Sequence, residues 1–309
     1  MNKPEVWPLE NLSSFSFGKA AVWTLELLRG KVTDRFPLET ITENATPPLG
    51  LDTLLVVGGG ELMDRAKYWR ATQSPNTKLI VIPSIWGSGA ENSRIAILND
   101  GGKKSIFIGS EYLPDVRSVW PELVETIPEQ FVAYACGDVW AHALEGFLSP
   151  VGSDETRAQL MDVIKDISDL PVGKNAAWFE FGARACAGQA ASSVGLVHGI
   201  AHTLEGPLRS KYPNQNMGHA KLCSIFLWPV FSLNMKHSNK IHEQFKIAGI
   251  DEQLVINILK SFYDAEIYHK ILPSLEEHWR LILRDPSSRT NSVLVRPSYI
   301  EYFKTADFS

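Results

Sequence analysis

Four histidines and one aspartate are spaced so that they could share a metal ion. In the stretch GLVHGIAHTLEGPLRSKYPNQNMGH, residues 195–219, His198 and His202 lie four apart in an apolar, Ala/Gly-rich run. On a helix both project from one face. His219 follows a break rich in Pro, Asn and Gly, where a further helix can start. Upstream, CGDVWAHALEGF sets Asp138 and His142 at the same four-residue interval. One carboxylate and four imidazoles form a mixed N/O donor set, suited to Zn²⁺, Fe²⁺ or a related ion rather than to Mg²⁺ or Ca²⁺. A single histidine on an apolar helix is more often a packed core residue than a ligand. Two pairs at matched spacing and a fifth candidate bring the two explanations level. The remaining histidines, His237, His242, His269 and His278, show no such spacing.

A second stretch that could do chemistry opens at Leu54. LLVV is a short apolar run of the kind buried on both faces of a parallel sheet. Gly58-Gly59-Gly60 follows, and then ELMDRAKYWRAT, a good helix. Glycines let the backbone approach an anion, and a helix N-terminus offers unpaired N–H groups and a positive dipole. A tight turn without a ligand explains GGG equally well, because it is not the G-x-G-x-x-G fingerprint. LIVIP (79–83) reads as a second buried strand, running into SIWGSGAENS with Gly87, Ser88 and Gly89. Two such loops after successive strands suit the nucleotide crevice of an open α/β sheet.

The other elements must hold these stretches in place. Residues 15–29 are expected to form a short strand or turn, Gly18, and a helix burying Ala20, Trp23, Leu27 and Leu28. Residues 37–49, broken by Pro and Asn, read as irregular. RIAIL and KSIFIG flank NDGG as a hairpin. From Pro128 the texture turns helical: 129–148 with Asp138 and His142, 154–167 capped by Ser153 or Asp154, and 176–204 as one long helix or two joined. Helices over 219–233, 254–265 and 275–283 complete the set. The expected architecture is α/β, with an N-terminal parallel-sheet, Rossmann-like nucleotide domain (1–127) followed by an all-helical metal-binding domain (128–309).

Composition narrows the function classes. A chain of 309 residues exceeds the usual single core. A net charge of −5 without blocks of one sign argues against nucleic acid and against an anionic membrane surface. Three cysteines, Cys136, Cys186 and Cys223, make no disulfide framework and fit small core residues in a reducing compartment. The N-terminal residues lack a signal-peptide pattern, and no apolar run reaches about 18 residues. A cytoplasmic location is expected.

Several segments together resemble the iron-containing (group III) alcohol dehydrogenases, relatives of glycerol dehydrogenase and dehydroquinate synthase. GGGELMDRAK (58–67) is similar to the family's GGGS-x-x-D-x-A-K, and PSIWGSGAE (83–91) to its P-T-T-x-G-T-G-S-E loop. LPDVRSVWPELVETIP (113–128) resembles its P-D-x-x-x-x-D-P-E-L segment. GDVWAHALEGFLS (137–149) resembles its G-x-D-x-x-x-H-x-x-E-x-x-x-S, with Gly and Asp adjacent here. GLVHGIAHTLEG (195–206) and GHAKL (218–222) look like its two histidine segments. The ordered match runs from about 54 to 235, with a fainter echo at Thr290-Asn291.

The resemblance implies a divalent metal, Fe²⁺ first and Zn²⁺ second, on Asp138, His142, His198 and His219. It implies that His202 lines the site as a proton relay or as an orienting group. It also implies NAD(P) held by Gly58, Gly59, Gly60 and the 84–88 loop (Ser84, Ile85, Gly87 and Ser88), with Asp64 nearby and Lys104 facing the cofactor. The reaction would interconvert an alcohol and an aldehyde or ketone, the metal acting as Lewis acid on the hydroxyl.

The departures lie in the cofactor half. Glu61 stands for the serine of GGGS, Ser84 and Ile85 for two threonines, and Ala90 for the serine before Glu. The interval from Gly18 to Leu54 looks too short for the family's first two strands and helix, so a truncated nucleotide domain is expected. A second subunit covering the shortened sheet edge, in a homodimer, would follow. Truncation suggests a specialised biosynthetic enzyme, acting on a small-molecule or peptide-borne alcohol, even a β-hydroxy acid that then decarboxylates. The alternatives are a lyase or cyclase like dehydroquinate synthase, and a non-catalytic metal-binding relative that has lost NAD(P).

Overall fold

Uninterrupted runs of Leu, Val and Ile become the central strands of a parallel sheet, where both faces are covered. The structure, a computed structural model, describes residues 3–100 and 103–308, with all of their side chains except those at positions 99, 100, 103 and 104. Two compact units result. Unit 1 is the chain through Pro128 together with Lys174–Ala183, and unit 2 is Glu129–Gly173 and the chain from Arg184 onward.

Unit 1 contains, in order, β1 (Glu5–Val6), α1 (Leu9–Ser14), β2 (Ala20–Thr24), α2 (Arg29–Arg35), β3 (Glu39–Thr42), β4 (Thr53–Gly58), α3 (Gly60–Gln73), β5 (Lys78–Pro83), β6 (Ile95–Asp100), β7 (Lys103–Ile108) and β8 (Val116–Arg117). Six strands form one parallel sheet in the order β1-β8-β5-β4-β2-β3, and β6 and β7 form the expected antiparallel hairpin. Its turn residues Gly101 and Gly102 lie outside the described residues. β4 is buried at every position, and α3 packs Leu62, Met63, Ala66 and Trp69 against Leu54, Val56, Leu79 and Val81 of the sheet.

The start of the chain corrects two expectations. Residues 20–24 are not helical: they form β2, paired in parallel with β3 on one side and β4 on the other. The 20/23/27/28 spacing imitated a helix, but Ala21, Val22 and Trp23 are all buried in the sheet. Residues 39–42, within the stretch read as irregular, are the strand β3. The interval from Gly18 to Leu54 therefore does hold a first strand, a helix and a second strand. It does so with a helix of 7 residues and a strand of 4. Side chains fix the strand order: Thr24 Oγ1 donates to the Val57 carbonyl (2.8 Å) and Trp23 Nε1 to the Thr42 carbonyl (3.1 Å).

Unit 2 is helical. Its main elements are α4 (Glu129–Leu148), α5 (Asp154–Ser168), α6 (Ala177–Ser192, whose first residues belong to unit 1), α7 (Leu196–Lys211) and α8 (His219–His237). α9 (Asn239–Ala248), α10 (Glu252–Ser261), α11 (Ala265–Ile282), α12 (Pro286–Arg289) and α13 (Ile300–Thr305) follow. The 176–204 stretch is two helices, broken at Ser193, whose φ of 145° is rare for a residue with a side chain. Ser153 caps α5 by accepting from the Thr156 N–H. Among the described residues no helix is long and apolar enough to cross a membrane.

Small residues set the distances between the central helices. At Gly137 on α4, a Cβ would overlap Ser224 of α8, including its backbone. Gly-to-Ala changes in helices usually stabilise by about 1 kcal/mol. Here overpacking reverses the sign, and Gly137→Ala should lose about 1–3 kcal/mol in chemical denaturation. Gly173→Ala, in open space, should change almost nothing.

Candidate functional site

α4 is buried along nearly all of Ala135–Leu148, so Asp138, His142 and Glu145 are polar groups set into an apolar helix at i, i+4 and i+7. α7 contributes His198, and α8 contributes its first residue His219 and, one turn on, Cys223. Donor atoms of Asp138, His198, His219 and Cys223 all lie within 4.8 Å of one another. Asp138 Oδ1 is 3.9 Å from His198 Nε2, and Cys223 Sγ is 3.6 Å from His219 Nε2. His142 abuts this group rather than joining it. Its Nε2 is 3.1 Å from His198 Nε2, and its Nδ1 is 3.7 Å from Asp138 Oδ1.

Glu145 organises the cluster. One carboxylate oxygen accepts the Val197 N–H (2.6 Å); the other pairs with His198 Nδ1 (2.6 Å) and lies 3.4 Å from the His198 amide nitrogen. A buried carboxylate thus caps the N-terminus of α7, which has no side-chain cap of its own from Gly195, and fixes the His198 ring. Burial pushes Glu145 up to about 7, against the backbone N–H groups of Gly195, Val197 and His198, which pull it down. With Glu145 ionised, His198 donates from Nδ1 and its Nε2 lone pair points at Asp138 and His142. Asn291 completes the cap: its Oδ1 accepts from the Leu196 N–H (3.3 Å), and its amide exchanges hydrogen bonds with Asn234. Thr290 Oγ1 donates to the Val194 carbonyl (2.7 Å) just before it.

The cluster fits a divalent cation on its own chemistry. Burial pushes the Asp138 carboxyl up, opposed chiefly by His142, and holds His198 well below the usual imidazole range. Burial, then the charges of Asp138 and Glu145, push the Cys223 thiol well above its ordinary value. Asp138 Oδ1 and His142 Nδ1 are buried without a hydrogen-bond partner. Such acceptors, gathered in an apolar interior, need a positive partner.

His202 stands at the edge of the cluster with its side chain about one-third exposed (34%). Its ring stacks on His219 at 5.3 Å, and its Nδ1 lies 3.6 Å from Asp285 Oδ2 and 3.5 Å from Ser287 Oγ. Burial would raise the Asp285 carboxyl, but the neighbouring His202 and the Ser287 N–H hold it below its ordinary value.

In unit 1 the glycine turn and the 84–88 loop come together. The Ser84 N–H donates to the Gly58 carbonyl (2.9 Å), and Cβ atoms at Gly59 and Gly60 would meet Ile85 and Ser88. Gly87 has φ 118°, open in practice only to glycine. Gly59 and Gly60 are half-buried at the start of α3, which has no side-chain cap, and Glu61 beside them is exposed. Asp64 is engaged elsewhere: its carboxylate meets Lys67 Nζ (2.7 Å) and accepts the Ile97 N–H (3.1 Å), tying α3 to the hairpin. Lys104 is on β7, opposite Asn99, and its side chain lies outside the described residues.

The structure thus brings Asp138, His142, His198, His202 and His219 into one cluster, and the three glycines with Ser84, Ile85 and Ser88 into another. Sequence reasoning missed Cys223, Glu145 and Asp285. Cys223 follows His219 at the interval that singled out the histidine pairs. Glu145 is a charged residue on the inner face of an apolar helix. Asp285 is followed by Pro286, the signature of a helix cap.

No known protein-family profile matches the chain. The chain is 33% identical over 194 residues to 1-propanol dehydrogenase PduQ of Salmonella typhimurium, which covers 57% of this chain and 52% of that protein. It is 25% identical over 260 residues to the NADPH-dependent butanol dehydrogenase of Clostridium saccharobutylicum, covering 74% and 65%. The chain spans from 16% to 65% of the length of such curated relatives, about half for 1-propanol dehydrogenase PduQ. Among solved structures, an iron-containing alcohol dehydrogenase from Thermococcus thioreducens superposes with a TM-score of 0.76 at 20% identity, covering 98% and 97% of the two chains. A 1,3-propanediol oxidoreductase gives 0.75 at 18% identity, covering 98% of each. Part of the chain is thus similar in sequence to alcohol dehydrogenases, and its fold is that of solved iron-containing alcohol dehydrogenases.

Proposed function

We propose that the chain is a metal-dependent, NAD(P)-linked oxidoreductase that interconverts a small alcohol and its aldehyde or ketone. The buried donor cluster on α4, α7 and α8 carries the proposal. Asp138, His198 and His219 would hold a divalent metal, with His142 against it. The glycine turn and the 84–88 loop would hold the dinucleotide, Gly59 and Gly60 giving the pyrophosphate backbone N–H groups free of side chains. A relative named as NADPH-dependent and a sulfoacetaldehyde reductase of the same fold solved with NAD⁺ support that assignment. When bound, the metal supplies Lewis acidity toward a hydroxyl or carbonyl oxygen, and the nicotinamide accepts or gives hydride.

The chain's own groups do the rest. Glu145 holds His198 in one tautomer and orientation. Asp285, 3.6 Å from His202 Nδ1, would orient the ring, and the ring's exposed edge can pass the substrate's hydroxyl proton to water. The finer expectation of a biosynthetic enzyme with decarboxylation draws no support from relatives named for 1-propanol and butanol. The lyase alternative is likewise unsupported by relatives named as dehydrogenases and reductases.

Three outcomes are expected. The purified protein should carry one divalent metal per chain and reduce NAD(P)⁺ with short primary alcohols, while Asp138→Ala and His198→Ala lose the metal. A full metal complement in both variants would overturn the cluster, and absence of NAD(P) binding would overturn the redox assignment. Glu145→Gln should weaken the metal about 10–100-fold in competitive titration, because the amide cannot serve both the α7 cap and His198 Nδ1. Glu61→Ser should tighten NAD(P) binding several-fold at low salt, with the gain shrinking as salt screens the removed charge.

A further inference from the structure

We infer that Cys223 is itself a metal ligand that, with Asp138, His198 and His219, favours Zn²⁺ over Fe²⁺ and leaves a substrate oxygen to enter as a fifth donor. The inference rests on the metal-binding proposal above and assigns its fourth donor to a sulfur rather than to His142.

Position comes first. Cys223 lies one helical turn after His219, on the same face of α8, so a metal reached by one is within reach of the other. Its Sγ is 3.6 Å from His219 Nε2 and within 4.8 Å of an Asp138 carboxylate oxygen. Tetrahedral coordination with bonds of about 2.0–2.3 Å sets donor atoms roughly 3.3–3.7 Å apart. The observed 3.6 Å, and the 3.9 Å from Asp138 to His198, need little adjustment. His142 Nε2, at 3.1 Å from His198 Nε2, sits at hydrogen-bond distance and outside the group of four.

Donor chemistry points the same way: sulfur biases a site toward Zn²⁺ and away from Fe²⁺ with mixed N/O donors. Cys136 and Cys186 are buried as well, yet among the described residues the one group of metal-binding donors includes neither. Binding breaks the Cys223 S–H bond, forms a sulfur–metal bond and releases the proton to solvent.

The test uses the full chain loaded with Co²⁺ alone, and separately with Zn²⁺ alone. The wild type should show a thiolate-to-cobalt charge-transfer band in the near ultraviolet at one equivalent. Cys223→Ser should still bind cobalt but lose the band. X-ray absorption of the zinc-loaded wild type, which needs no variant, should show one sulfur neighbour at about 2.3 Å. A nitrogen/oxygen-only shell, or a band that persists in Cys223→Ser, would overturn the inference while leaving the metal site standing. A wild type that takes up neither metal would overturn both.

Discussion

The carboxylate of Glu145 is the group on which the site depends. It is buried in an apolar helix and would be costly to ionise there without partners. Its partners are the N-terminus of α7 and the ring of His198, so a single side chain ends one helix and aims one imidazole. Asn291 and Thr290, almost a hundred residues further on, hold the same turn from the other side. The chain after α11 is therefore tied to the geometry of the cluster although it supplies no donor to it.

That arrangement explains why so many polar groups survive in the core of unit 2. Asp138, His142, Glu145 and His198 are each below one-tenth exposed, and each faces at least one of the others. Without a cation, burial drives the carboxyls and the thiol toward their protonated forms and the imidazole toward its neutral one. A divalent ion reverses the preference of the carboxyls and the thiol and binds the imidazole in its neutral form, so metal binding and release of protons are linked. Gly137, where a side chain would strike α8, and Gly199, where one would strike Ser288, are the small residues that let the helices come close enough.

α4, α5 and α8 could be read from the sequence because their ends are marked and their periods are clean. The expected 254–265, by contrast, runs across the break between α10 and α11, and the expected 275–283 misses the first ten residues of α11. α4 and α5 start where a loop proline and a capping serine say they should. β4 and β5 were equally plain, since a short run of Leu, Val and Ile bounded by Gly or Pro has few other uses. The first fifty residues misled for the opposite reason. AAVWT carries two alanines and no alternation, because a strand buried on both faces needs none, and only its neighbours β3 and β4 decide its conformation. α9 was passed over because it follows α8 with a single intervening residue, Ser238. The histidine pairs announced the donor cluster, but Cys223 read as a core filler and Glu145 as one more motif letter. Both acquire meaning only when three helices cross.

The most direct measurement is an anomalous-difference map from crystals of the full chain grown with one equivalent of Zn²⁺. A single peak within bonding distance of Asp138, His198 and His219 is the result this account predicts. No peak there, or a peak coordinated by other residues, would contradict it.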